Sequence, residues 1–106
     1  MGFFDFMKAP DINQGLTEYS AASGAVLLDV RTPQEYREGH IPGSINVPLQ
    51  SLGAEGRVPA EKNAALFVYC HSGARSRQAV ELLGRLGFAN VKNIGGIAAY
   101  KGRVER

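Results

Sequence analysis

Strands alternating with helices around a mainly parallel sheet, an α/β fold, is the architecture the sequence predicts. Ala25-Val26-Leu27-Leu28-Asp29-Val30 and Ala64-Ala65-Leu66-Phe67-Val68-Tyr69 are continuous apolar runs rather than alternating ones. That is the pattern of strands covered by helices on both faces. Helix signals lie between and after those runs, and no Pro- or Ser-rich linker divides the chain. Residues 1–11 therefore read as an N-terminal arm and 12–106 as a single domain, since a chain of 106 residues is long enough to bury one core.

The elements follow in order. Met1-Gly2-Phe3-Phe4-Asp5-Phe6-Met7 is apolar but short, with no basic residue ahead of it and no small-residue cleavage site. It makes a poor signal peptide, and Phe6 spoils the myristoylation pattern. An arm packed on the domain surface is the expectation for Phe3, Phe4 and Phe6. Gln14 to Ala22 reads as a modest helix with Gly24 past its end. Thr32-Pro33-Gln34-Glu35 is a helix start, with Thr as N-cap, Pro at the first helical position and Glu at the third, and Gly39 closes it early. Ser44-Ile45-Asn46-Val47 and Asn90-Val91-Lys92-Asn93-Ile94 are shorter strand candidates. Ser76 to Leu86 puts Ala79, Val80, Leu82, Leu83 and Leu86 on one helix face, with Gly87 where a C-terminal cap belongs.

Composition narrows the function classes. Apolar residues at 44% and charged residues at 21% are ordinary for a globular domain. A net charge of +2 is too weak to suggest nucleic acid, although eight of the twelve cations are Arg, whose fork suits small oxyanions. One cysteine forbids an internal disulfide, and with two histidines it offers no four-ligand zinc site. Nothing approaches the ~20 apolar residues of a membrane span. The cytoplasm is the expected compartment, and no cofactor or metal is called for.

The informative segment is Tyr69-Cys70-His71-Ser72-Gly73-Ala74-Arg75-Ser76, between an apolar strand and an amphipathic helix. Open α/β sheets bind ligands at such places. A loop of small residues there can turn successive N–H groups inward as an anion nest, and Gly73 permits the backbone angles. The helix beginning near Ser76 adds the positive end of its dipole, and Arg75 a full charge. A cysteine at the mouth of that bowl is stabilised as thiolate, since such settings bring the free value near 8.5 down to roughly 3.5–7.5. Cys70 is thus the candidate nucleophile, and His71, Ser72, Gly73, Ala74, Arg75 and Ser76 form the candidate anion-binding loop.

Cys70-His71-Ser72-Gly73-Ala74-Arg75-Ser76 resembles the active-site loop of rhodaneses, Cys-x-x-Gly-x-Arg-Ser/Thr. Leu28-Asp29-Val30-Arg31-Thr32-Pro33-Gln34-Glu35-Tyr36 with Gly39-His40-Ile41-Pro42-Gly43-Ser44-Ile45-Asn46-Val47-Pro48 is similar to that family's N-terminal signature. Gly95-Gly96-Ile97-Ala98-Ala99-Tyr100 is similar to its C-terminal one, with Tyr100 where Trp is more usual. The resemblance, to the small stand-alone members, runs from about Ile12 to Tyr100. It implies a five-stranded parallel sheet with helices on both faces. It also implies a persulfide on Cys70, formed from a small sulfur-containing anion such as thiosulfate or from a persulfide donor. The acceptor would be cyanide or a thiol, including one on a partner protein. Catalytically silent rhodanese-like binding modules are the competing class; they typically lack the cysteine that this chain keeps.

Cysteine-dependent phosphatases and arsenate reductases use a related format, Cys-x5-Arg. Here four residues separate Cys70 from Arg75 and six separate it from Arg77. The shorter bowl suits one sulfur atom better than a phosphoryl group, and phosphatase chemistry is disfavoured. Asp29 ends a buried strand, so it should be paired, with Arg31, Arg75 or backbone N–H groups as candidates, and so brace the loop from behind. A surface-exposed Asp29 is the other option. Glu35 reads as the cap of its own helix, with Arg31 as a possible partner. His40 reads as bonding backbone in a turn, and His71 as shaping the pocket rim. Arg77 either adds field at the mouth or faces solvent.

Overall fold

The computed structural model describes residues 10–106, so Phe3, Phe4 and Phe6 of the expected arm lie outside the described residues. The order is α1 (Ile12–Ala21), β1 (Val26–Asp29), α2 (Pro33–Glu38), β2 (Ile45–Asn46), α3 (Leu49–Glu55), β3 (Ala65–Cys70), α4 (Ala74–Arg85), β4 (Asn90–Gly96) and a 3-10 turn, Ile97–Ala99. The sheet runs β2-β1-β3-β4 with every pair parallel. No helix among the described residues is long and apolar enough to cross a membrane.

The continuous apolar runs divide between two cores because strand side chains alternate. Leu28, Val30, Leu66, Val68 and Cys70 face the core that takes Leu52 of α3 and Ala79 and Leu83 of α4. Leu27, Phe67 and Tyr69 face the core that takes Ile12 of α1. Helices thus cover both faces, and the runs carry no polar gap until Asp29.

Local signals account for most element ends. Asp11 caps α1, its carboxylate accepting the Asn13 N–H at 3.0 Å, so the helix starts two residues before Gln14. Thr32 and Glu35 form the expected capping box on α2. The end of α4 is a Schellman motif: the Gly87 N–H bonds to the Gly84 carbonyl and the Phe88 N–H to the Leu83 carbonyl, both at 3.1 Å. Gly87 adopts the φ of +101° that this closure requires.

Three expectations change. Helix α4 opens at Ala74 rather than Ser76, because Gly73, at φ +105°, is its N-cap, so Arg75 lies inside the first turn. Helix α3 was not foreseen; it has Pro48 at its N-cap, no side-chain cap, and Gly53 in its middle, so no local signal announces it. The implied fifth strand is absent among the described residues, which form four strands. The remaining C-terminal segment makes only one antiparallel bridge, Glu105 with His40.

Candidate functional site

Cys70 is the last residue of β3, its side chain turned into the α4-side core and only 1% exposed. The chain then reverses through His71 and Ser72, both exposed, into Gly73 and α4. This reversal brings the Gly73 N–H back to the Cys70 sulfur at 3.0 Å, and the Ser76 hydroxyl lies 3.5 Å from the same atom. Burial by itself pushes the Cys70 thiol up. The Ser76 hydroxyl and the backbone N–H groups of Ser76, Gly73 and Ser72 outweigh it, and the thiol sits below its ordinary value. Within the loop it is the Ser72, Gly73 and Ser76 amides that act on the sulfur, the Gly73 N–H by a direct hydrogen bond.

Ser76 is fully buried and its hydroxyl has three acceptors. Asn93 Oδ1 is at 2.7 Å, the Gly73 carbonyl at 3.0 Å and Cys70 Sγ at 3.5 Å. One proton cannot serve all three, so the amides are the steadier donors to sulfur. Asn93 was not foreseen. It also accepts the Gly95 N–H at 2.9 Å and donates to the Gly73 carbonyl at 3.3 Å, tying the loop to β4. A lone Asn inside a short strand candidate gave no cue to this role.

The Gly95-Gly96 pair does have a legible reason. A Cβ on Gly96 would run into the His71 carbonyl oxygen and the Ser72 Cα, so only glycine lets the loop lie on the end of β4. Gly95, at φ +106°, follows a register shift that pairs Val68 with Asn93 and Tyr69 with Gly95. The Ala98 N–H then holds the His71 carbonyl at 3.0 Å.

Among the charged residues, the expected pairing of Asp29 with Arg31 forms and the partner of Arg75 is the unexpected one. Asp29 is fully buried and binds Arg31 three times through the side chain, the shortest contact being 2.7 Å, and once through the Arg31 N–H at 2.9 Å. Arg31 also donates to the Gly39 carbonyl at 2.7 Å and lies 5.8 Å from the centre of the Tyr69 ring. These bonds brace the β1–α2 connection rather than the cysteine loop. Arg75 pairs with Glu35 instead of Asp29, through two parallel bonds of 2.7 and 3.0 Å. The hydrogen bonds from Arg75, aided by those from Thr32, hold the Glu35 carboxyl down to about 2. The pairing escaped sequence reading because the capping role of Glu35 already explained that residue.

His40 bonds the Tyr36 carbonyl through Nδ1 at 2.8 Å and stacks on the Tyr36 ring, the backbone-bonding role expected of it. Arg77 is exposed, and its N–H donates to the Gly73 carbonyl. Beside Arg75 opens a cleft of about 210 Å³, lined chiefly by Val30, Pro33, Pro48 and Leu49, with Arg31 and Arg75 as its cations.

Comparison with known proteins agrees with this arrangement. The family model described as "Rhodanese-like domain" matches residues 13–103. Thiosulfate sulfurtransferase PspE of Escherichia coli is 38% identical over 71 residues, covering 66% of this chain and 68% of that protein. A putative sulfur carrier protein of Bacillus subtilis is 34% identical over 80 residues; the match covers 74% of this chain but only 43% of that protein. The crystal structure of a rhodanese-related protein from Thermoplasma volcanium superposes with a TM-score of 0.74 at 32% identity, covering 92% of this chain and 97% of that one. The sequence signatures, the parallel sheet and the family match coincide over nearly the same residues, and the chain belongs to the rhodanese family.

Proposed function

We propose that this chain is a sulfurtransferase that carries sulfane sulfur as a persulfide on Cys70. The observation that carries the reading is the Cys70 sulfur facing the Gly73 N–H and the Ser76 hydroxyl at the start of α4. These donors favour the thiolate, which is the attacking species in sulfur exchange.

With thiosulfate as donor, the Cys70 thiolate attacks the outer sulfur. The S–S bond of the donor breaks, sulfite leaves with the electron pair, and Cys70 becomes a persulfide anion. Cyanide or a thiolate then attacks the terminal sulfur, leaving as thiocyanate or a new persulfide and returning the Cys70 thiolate. Charge and atoms balance in both steps, and neither calls for a general base, a metal or a cofactor. The amides of Ser72, Gly73 and Ser76 would hold the charge that builds on the transferred sulfur. A partner protein can present the acceptor thiol.

Intact mass after incubation with thiosulfate tests the reading. One sulfur atom should be gained, then lost to cyanide with formation of thiocyanate. The same preparation should release no phosphate from an aryl phosphate, because the bowl is shorter than a Cys-x5-Arg cradle. A protein that gains no sulfur from thiosulfate or from a persulfide donor is instead a binding module.

Thiolate character can be read separately. After reduction, the rate of Cys70 alkylation by iodoacetamide should rise with a midpoint below the free-cysteine value of about 8.5. A midpoint at or above that value would mean that burial dominates the loop donors.

A further inference from the structure

The two guanidinium groups that line the cleft beside the cysteine loop are both matched by carboxylates, Arg31 by Asp29 and Arg75 by Glu35. The remaining walls are chiefly apolar. Arg75 is the cation nearest Cys70 in sequence, yet Glu35 occupies both of its terminal nitrogens. Glu35 is itself held by the Thr32 N–H and hydroxyl at 3.0 and 3.1 Å, so the carboxylate is anchored and not a swinging surface group. An incoming anion meets a guanidinium already neutralised, in the bidentate geometry that is the strongest it can make.

We propose that Glu35 is a specificity-determining residue acting through Arg75: by masking that charge, it turns the site away from dianionic inorganic donors and toward low-charge organic persulfides. This rests on the sulfurtransferase reading of Cys70 and deepens it by naming the donor class. With such a donor, the Cys70 thiolate attacks the outer sulfur of R–S–SH. The S–S bond breaks, RS⁻ leaves with the electron pair, and the proton stays on the sulfur transferred to Cys70. The organic group R carries no charge that an unmasked Arg75 would reward, whereas the sulfonate end of thiosulfate does. Thiosulfate still loads the protein, but at high concentration.

Glu35→Gln is the test, because Gln at this position still completes a capping box and keeps α2. The KM for thiosulfate should fall about three- to tenfold, the range expected for freeing one partly exposed charge. That KM should also become more sensitive to salt. The kcat with thiosulfate, and loading from the persulfide of 2-mercaptoethanol, should stay within about twofold of wild type. Glu35→Asp, which keeps the charge, should behave toward thiosulfate more like wild type than Glu35→Gln does. An unchanged or raised thiosulfate KM in Glu35→Gln overturns the inference, the raised value meaning that Glu35 aims Arg75 at the donor. Equilibrium binding of thiosulfate to Cys70→Ser, with and without Glu35→Gln, reads the same effect without chemistry. Tighter binding in the double variant supports masking, and equal or weaker binding overturns it. Failure of wild type to gain sulfur sinks the sulfurtransferase reading alone, and this binding comparison still decides the role of Glu35.

Discussion

Cys70→Ser should lose sulfur uptake and thiocyanate formation to the limit of detection while remaining folded. Serine keeps the shape of the side chain and accepts the Gly73 N–H now held by sulfur at 3.0 Å. Its hydroxyl is too weakly acidic to supply an anionic nucleophile at neutral pH, so chemistry that begins from a thiolate stops. The exchange places an oxygen where a 1% exposed sulfur sat among Val68, Ala79 and Leu83. Its stability cost should stay within about 1–2 kcal/mol, since neighbouring polar groups can satisfy the hydroxyl. Mass spectrometry after thiosulfate and a thermal melt by circular dichroism check the two halves. Undiminished turnover in a folded Cys70→Ser protein would mean that sulfur is carried elsewhere.

The largest stability effect should come from Asp29→Ala. It leaves the Arg31 guanidinium, 5% exposed, with only the Gly39 carbonyl as a polar partner and the Tyr69 ring nearby. Removing one member of a buried pair costs about 3–5 kcal/mol because the other charge is stranded. That is a large share of the roughly 5–15 kcal/mol that holds a domain together. Replacing both residues, as Asp29→Ala with Arg31→Met, should recover most of the loss, since no unpaired charge remains. Urea unfolding of the single and double variants decides this. A single variant within about 1 kcal/mol of wild type would show that Arg31 escapes to solvent when released.

Much of the fold lies in local patterns. The apolar runs around Leu28 and Val68 are too long for surface strands, and their continuity demands cover on both faces. Thr32, Pro33 and Glu35 announce α2 because a capping box is made within four residues. Gly87 announces the end of α4 for the same reason: the left-handed residue and the groups it satisfies are neighbours in the chain. Helix α3 lacked such a signal and formed anyway, with Leu52 buried in the core it shares with α4. The strand count came from family resemblance, and the pairing among described residues stops at four.

The site divides along the same line. By itself the sequence determined that a strand leads into Cys70, that Gly73 lets the loop turn back to it, and that a helix follows; these are contacts between residues a few positions apart. Only the tertiary structure decided which partners the charges take. Arg75 meets Glu35 from 40 positions away, and Ser76 meets Asn93 from 17. Parallel pairing of β1, β3 and β4 sets their C-terminal ends side by side, so the segments that follow β1 and β3 meet at one edge of the sheet. Among several carboxylates that could each pair an arginine, which one does so depends on that packing, because a charge bonds to what folding places within reach and not to what stands near it in the chain.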